Sequence, residues 1–186
     1  AAPVTLPALA DMEPIVDEQR ARFEEIYRRC EQPVLAYASR RASAEAARDA
    51  VAEAFVAAWR RVDELPDDPL PWLIAATRRT LANQRRASTR QARLADKLAA
   101  AGAGVTVDPE TVENPLVRGA FHRLSPADRE TLALLAWDGL TPTQAARSLG
   151  CSPVAFRVRA HRARGRFERA LRQEAELDRL ELKEAS

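Results

Sequence analysis

The side chains best suited to chemistry in this sequence are arginines, and they are clustered. Residues 153–172 contain seven arginines and one glutamate, and residues 73–95 contain six arginines and no acid. A guanidinium group is always charged and offers several N–H donors in a plane, which suits it to phosphate. The clusters therefore predict binding to nucleic acid rather than the breaking of bonds.

The residue sets that catalysis requires are missing from the sequence. There is no Gly-rich phosphate loop, no pair of carboxylates beside a histidine and no Ser/His/Asp set. His122 and His161 fall in separate helical patterns, and we expect His161 to pack at the edge of an apolar face. Cys30 and Cys151 fit neither a CxxC motif nor a Cys/His ligand spacing. We therefore predict no catalytic residue, metal site or cofactor, and we expect two thiols in a reducing compartment.

The composition is that of an ordinary soluble protein. Of 186 residues, 46% are apolar and 30% are charged, and the formal net charge is +2. No run approaches the ~20 apolar residues of a membrane span, and no signal-peptide pattern opens the chain. We expect a cytoplasmic protein with no membrane segment.

The arginines at 153–172 are positioned by two helix-start signals. Thr141 and Gln144 fit a capping box, Pro142 fits the first helical position, and Gly150 suits a helix end. A second start follows at 152–153. The pattern predicts a helix over 142–149, a turn at 150–152 and a longer second helix, which together form a helix-turn-helix.

In such a motif the start of the second helix reaches base edges, and flanking arginines neutralise phosphate. The apolar face of this helix comprises Phe156, Ala160, Ala163, Phe167 and Leu171. The candidates for base or near-base contact are Ser152, Ala155, Arg157 and Arg159; Arg162 and Arg166 are the candidates for phosphate contact.

The first half of the chain shows three helical patterns. Apolar residues including Tyr27, Val34 and Tyr37 recur at three- and four-residue steps, with Pro33 expected to kink the helix or to start a new one. A second helix follows Ser43, and its apolar side includes Trp59. The prolines of the loop over 63–70 end this pattern, and Pro71 fits the first turn of a third helix.

No strand alternation occurs, so the predicted fold is all-α, with two small helical domains joined by a flexible linker and a helix-turn-helix in the C-terminal one. The expected divisions are a loose N-terminal arm at 1–13, a first domain at 14–97, a linker at 98–114, a second domain at 115–172 and an extension at 173–186.

These motifs also carry a family resemblance. The segment SPVAFRVRAHRAR (152–164) resembles the region 4.2 recognition segment of extracytoplasmic-function (group IV) sigma factors, and the preceding LSPADRETLALLAWDGLTPTQAARSLG resembles the rest of region 4. In the first half, DAVAEAFVAAWRRV resembles region 2.2, and PWLIAATRRTLANQRR resembles regions 2.3 and 2.4. The matches cover about 20–95 and 115–172, in the order of that family.

The resemblance implies a specificity subunit of bacterial RNA polymerase. Its first domain would bind the polymerase clamp and would recognise and melt the minus-ten element. Its second domain would bind the polymerase flap and the minus-thirty-five element. The resemblance also implies an anti-sigma factor as a further partner.

Residues are assigned to these roles by position. The minus-ten candidates are Trp72, Arg78, Arg79, Asn83 and Arg86, with Asp67 and Asp68 from the loop that aligns with the base-reading loop of the family. Melted DNA requires such an aromatic and cationic surface. In region 2.2, Asp49 and Glu53 are the polymerase-contact candidates; Ala52 replaces the glutamine usual in the family, and Arg48 stands where an acid is common.

The residues alone leave a second hypothesis open, which is a stand-alone helix-turn-helix regulator whose first half senses a signal or dimerises. That protein would bind duplex DNA tightly without polymerase, and the basic cluster at 73–95 would then have no role. A strong salt dependence of DNA binding is expected in both cases.

Overall fold

The computed structural model describes the backbone of residues 9–95 and 107–184, and the side chains of 17–90, 107–110 and 112–180. These residues form helices and connecting turns, and no strand occurs among them. The helices are α1 (Leu9–Ser39), α2 (Ala44–Trp59), α3 (Leu70–Ala95), α4 (Pro115–His122), α5 (Pro126–Ala136), α6 (Pro142–Leu149) and α7 (Pro153–Glu184), with short 3₁₀ turns at Val62–Glu64 and Pro109–Thr111. The predicted all-α class is confirmed.

Helices α2, α4 and α5 begin with hydrogen-bonded caps, and the start of α2 after Ser43 is the one that the sequence analysis predicted. Ser43 accepts a bond from the Ala46 amide at the start of α2, and Ser125 accepts one from Asp128 at the start of α5. Asn114 caps α4 in the same way. Each cap satisfies an amide that the first turn of the helix would otherwise leave without a partner.

Helices α1, α2 and α3 pack together as the first domain. Their buried faces supply Val34, Tyr37, Ala50, Phe55 and Leu73, among others. Tyr27 and Trp59, which the periodicity predicted to be buried, are each 44% exposed. They lie at the edge of the buried face, where the neighbouring helices cover them only in part.

Helix α1 differs from its sequence-based prediction in two ways. It begins at Leu9, inside the segment predicted to be a loose arm, and residues 1–8 lie outside the described residues. It also continues unbroken through Pro33, which is exposed. Cys30 and Val34 on either side of the proline are buried, so tertiary packing holds the helix together where local propensity would interrupt it.

Helices α4 to α7 form the second domain. A small apolar cluster of Phe121, Leu124, Leu132 and Ala163 lies between α4, α5 and α7, with Trp137 packed against it. The C-terminal extension is helical as far as Glu184, as a continuation of α7.

The two domains are in contact. The main buried cluster contains residues of α1, α2 and α3 together with Leu134, Leu140, Ala146 and Phe156 of the second domain. Of the predicted linker, 98–106 lies outside the described residues; beyond it Val107 is fully buried, and the Asp108 amide donates to the Arg40 carbonyl at 3.1 Å. None of the helices in the described part of the chain is long and apolar enough to cross a membrane.

Candidate nucleic-acid and polymerase interfaces

The helix-turn-helix is held by the caps that the sequence predicted. The Thr141 side chain accepts from the Gln144 amide, and Gln144 in turn accepts from the Thr141 amide at 2.9 Å, which completes the capping box. Gly150 ends α6 with a φ of +67°, a left-handed conformation that glycine adopts without a steric penalty. This turn directs the chain into α7.

The start of α7 is fixed by its own cap. Ser152 accepts a hydrogen bond from the Ala155 amide at 3.1 Å, which gives this predicted base-contact residue a structural role as well. Phe156 and Ala160 are buried against the rest of the protein. The predicted contact residues therefore lie on the opposite, exposed side, and these are Ser152, Ala155, Arg157, Arg159 and Arg162.

Arg166 is the exception among the predicted phosphate contacts, because it has a carboxylate partner. Its Nε and Nη2 atoms both donate to Asp128 at 2.9 Å. Burial alone would raise the pKa of Asp128, but hydrogen bonds from Arg166 and Ser125 and the charge of Arg166 outweigh it and hold that pKa below its usual value. The pair joins α7 to the start of α5.

Sequence reasoning missed two apolar residues on the exposed side of α7. Val154 is 64% exposed and Val158 is 46% exposed, and they flank the predicted base-contact residues. Apolar side chains at such positions can contact thymine methyl groups. The sequence did indicate that these two valines are exposed, since neither fits the apolar period of Phe156, Ala160 and Ala163.

The minus-ten candidates on α3 occupy different environments. Arg79, Asn83 and Arg86 are exposed, and Arg86 donates to the Asn83 side chain at 2.6 Å. Arg78 is half-buried. Trp72 is half-buried as well and packs against the main apolar cluster. Its side chain therefore contributes to the apolar core and is also partly accessible to solvent.

The loop before α3 is held from two sides. Arg29 donates to the Asp67 carbonyl at 3.3 Å. Asp68 accepts from Gln144 of α6 at 3.0 Å, so a side chain of the second domain contacts the loop that aligns with the base-reading loop.

The polymerase-contact candidates lie on α2. Asp49 and Glu53 are exposed one turn apart, and Thr80 of α3 donates to Glu53 at 3.1 Å. Farther along α2, exposed Val56 and Trp59 lie on the same helix as these acids, and Trp59 meets Phe23 edge to face at 5.1 Å. The exposed surface of α2 thus combines acidic, apolar and aromatic side chains.

The two histidines are both exposed. His122 contacts Glu110 at 2.9 Å. His161 was expected at the edge of an apolar face, and the structure instead places it on the exposed side of α7. Within the described ranges, no three His, Cys, Asp or Glu side chains come together as a metal site would require.

Comparisons with known proteins agree with this organisation. The family model for sigma-70 region 2 matches residues 26–91, and the model for sigma-70 region 4 matches residues 116–167. A comparison with curated protein sequences gave no significant match.

Two solved structures resemble the chain over most of its length. The sigma factor RpoE of Bartonella quintana, solved with the anti-sigma factor NepR, is 22% identical with a TM-score of 0.55; the match covers 86% of this chain and 98% of RpoE. CnrH, solved with the cytosolic domain of CnrY, is 25% identical with a TM-score of 0.55, covering 83% of this chain and 90% of CnrH. Regions 2 and 4 occur here in order, each on its own helical domain and with a helix-turn-helix in the second, and the chain is therefore a sigma factor of the sigma-70 family.

Proposed function

We propose that this sigma factor is of the extracytoplasmic-function type, group IV, and that it directs promoter-specific initiation as a subunit of RNA polymerase in the cytoplasm. The observation that carries the proposal is the presence of two cationic helical modules in fixed order. One is the exposed arginine surface of α7, and the other is the exposed Arg79 and Arg86 surface of α3. A sigma factor is not an enzyme, because nucleotide addition belongs to the polymerase.

The second domain would read the minus-thirty-five element through the start of α7. Ser152, Ala155, Arg157 and Arg159 would face base edges, and Arg162 and Arg166 would contact phosphates. On DNA binding, Arg166 would either give up its bond to the Asp128 carboxylate or be oriented by that bond toward a DNA phosphate. This domain would also bind the polymerase flap.

The first domain would bind the clamp and the minus-ten element. Exposed Asp49 and Glu53 support the clamp contact, because acidic side chains on one helix face complement a basic partner. For the melted strand, Trp72 offers a stacking surface, and Arg78, Arg79, Asn83 and Arg86 offer donors along the same helix; Asp67 and Asp68 lie in the adjoining loop.

An anti-sigma factor is the further partner that we propose. The support is that RpoE of Bartonella quintana, which shares the fold of this chain, was solved with an anti-sigma factor. Co-purification from the native cell, with identification of the polymerase subunits and any additional small protein, would test for it.

Run-off transcription with core polymerase on a library of templates tests the function. We expect promoter-specific transcripts that depend on added protein and that weaken when Arg157→Ala is introduced. A gel shift without core polymerase tests the alternative of a stand-alone regulator. Tight, sequence-specific duplex binding there, with no transcript from any template, would favour the regulator and contradict the proposal.

A further inference from the structure

Asp128 and Arg166 form an ion pair whose two members differ in exposure. The Nε and Nη2 atoms of Arg166 both donate to the Asp128 carboxylate, each at 2.9 Å. The side chain of Asp128 is 6% exposed, whereas that of Arg166 is 47% exposed. The carboxylate is therefore buried between α5 and α7, while about half of the arginine side chain remains open to solvent.

The carboxylate is held in place by the start of α5. The Ser125 hydroxyl donates to Oδ2 of Asp128 at 2.8 Å, and the same hydroxyl accepts from the Asp128 amide at 3.2 Å. Ser125 is the N-cap of α5, so both bonds join the Asp128 side chain to an ordered helix end. A carboxylate fixed in this way also fixes the orientation of an arginine that binds to it through two donors.

The ion pair leaves Arg166 with donors for a second acceptor. A guanidinium has five N–H groups, and the bonds to Asp128 use one on Nε and one on Nη2. The other three, two on Nη1 and one on Nη2, bind no acceptor among the described residues. A phosphate oxygen that meets this outer edge would bind a guanidinium whose orientation is already set.

Arg166 belongs to a line of exposed arginines on α7. Arg159, Arg162 and Arg166 follow one another at steps of three and four residues, so they lie on one side of the helix over about 10 Å. Of the three, only Arg166 forms an ion pair in the part of the chain that the structure describes. The line therefore contains one arginine with a fixed orientation.

An acid beside a DNA-binding surface would ordinarily weaken binding. Asp128 repels phosphate, and at a distance its charge cancels that of Arg166. If the carboxylate only joined α5 to α7, its neutralisation would raise the affinity for DNA. The carboxylate favours DNA binding only if the orientation that it gives to Arg166 outweighs this repulsion.

We propose that Asp128 is a positioning residue for DNA binding, which holds the outer edge of the Arg166 guanidinium toward a phosphate of the promoter duplex and keeps its own bonds to Arg166 in the complex. This inference rests on the proposed function for the role of α7 at the promoter. Immobilising an arginine side chain on binding costs conformational entropy. Asp128 removes that cost, because the side chain is already held in the free protein.

The test is a double-mutant cycle on the whole chain, with Asp128→Asn, Arg166→Ala and the combined variant. The probe is a short fluorescent duplex of random sequence, because phosphate contacts do not depend on the base sequence. Fluorescence anisotropy over a salt series gives the affinity and its salt dependence.

We expect Arg166→Ala to weaken binding and to reduce the slope of log affinity against log salt by about 1. Asp128→Asn should weaken binding about fivefold, although it removes a negative charge. In the Arg166→Ala background, Asp128→Asn should no longer weaken binding. An Asp128→Asn variant that binds as tightly as the wild type or tighter overturns the proposal, and so does an equal loss in both backgrounds.

Glu168→Gln is the matched control, because Glu168 is an exposed acid of the same helix that does not bond to Arg166. This variant should bind DNA as tightly as the wild type or tighter. Circular dichroism checks the folding of every variant. If Asp128→Asn does not fold, Arg166→Lys replaces it, because lysine keeps the charge but lacks the planar pair of donors. We then expect weaker binding with an unchanged salt slope, and binding equal to that of the wild type overturns the proposal.

Run-off transcription with the wild type and core polymerase keeps the two proposals apart. If no template gives a transcript, promoter-specific initiation by this chain is contradicted, whereas the cycle on the random duplex still decides the role of Asp128. If transcripts appear and Asp128→Asn does not weaken DNA binding, the proposed function stands and the positioning role is wrong.

Discussion

Arg162 and Arg166 lie about one helical turn apart on α7, yet of the two only Arg166 has a carboxylate partner in the described chain, namely Asp128. A guanidinium without such a partner can give its whole charge to DNA phosphate. One that is paired must share its donors or give up the ion pair. The two residues should therefore respond differently to truncation.

We expect Arg162→Ala to weaken binding to a minus-thirty-five duplex, and to reduce the slope of log affinity against log salt by about 1, with no change in thermal stability. Arg166→Ala should weaken DNA binding and also lower the melting temperature, because it leaves Asp128 without its strongest partner. Fluorescence anisotropy over a salt series and thermal unfolding measure the two effects. Equal melting temperatures for both variants would contradict this division of roles.

Asp128 gives a prediction about the stability of the protein at acidic pH. Its pKa in the folded protein is lowered by Arg166 and Ser125 despite its burial, whereas an unfolded aspartate titrates near about 3.9. Its contribution to stability is thus fully present well above pH 4, and is lost as the pH falls below that value toward the folded pKa. Urea unfolding of the wild type should show a steeper loss of free energy below about pH 4 than Asp128→Asn. Asp178→Asn, at an exposed position of α7, is the control and should follow the wild type.

Among the elements, the turn between α6 and α7 depends on one backbone conformation. Gly150 has a φ of +67° and open space around its α-carbon, so an added methyl group meets strain from the backbone rather than a clash. Gly165 also has open space, but it lies within α7. The two glycines form a matched pair in which only the backbone conformation differs.

We expect Gly150→Ala to destabilise the protein by about 1 kcal/mol, because an L-residue is strained in the left-handed region. Gly165→Ala should stabilise it by about 0.5–1 kcal/mol, since alanine is the better helix former. Chemical denaturation measures both. The prediction requires stability changes of opposite sign at the two positions. A loss of stability at both would mean that the space around Gly165 is not free in solution.

The elements that the sequence predicts well are those with local signals. The capping box at Thr141, the left-handed Gly150 and the start of α7 at Pro153 each depend on residues within a few positions of one another. The cap at Ser43 and the place of Pro71 in the first turn of α3 were predictable for the same reason.

The buried ion pairs between the two domains were not predictable in this way. Arg41 pairs with Glu130 and Asp138, which are 89 and 97 residues away, and nothing near it in the sequence distinguishes it from the partly exposed Arg40. Periodicity likewise assigned Tyr27 and Trp59 to a buried face, because it finds the direction of a face but not how far the neighbouring helices cover it.

At the scale of the whole molecule, the shared apolar cluster and the buried ion pairs of Arg41 with Glu130 and Asp138 should couple the two domains during unfolding. Leu134, Ala146 and Phe156 of the second domain are buried in the same cluster as Tyr37 and Leu73 of the first. If one domain unfolds, the other loses part of its burial, and its share of these ion pairs is left without partners. Such coupling makes the two transitions coincide.

Tryptophans report on the two domains separately, since Trp59 and Trp72 lie in the first and Trp137 lies in the second. In Trp137→Phe and in the double variant Trp59→Phe/Trp72→Phe, we expect the fluorescence transition to coincide with the loss of helical circular dichroism, and a minus-thirty-five duplex should raise the melting temperature of each variant. Adding Glu130→Gln/Asp138→Asn to each reporter should separate the transitions, so that the duplex raises only the Trp137 signal. Two separate transitions in the reporters that retain Glu130 and Asp138 would show that contact between the domains contributes too little to couple their unfolding.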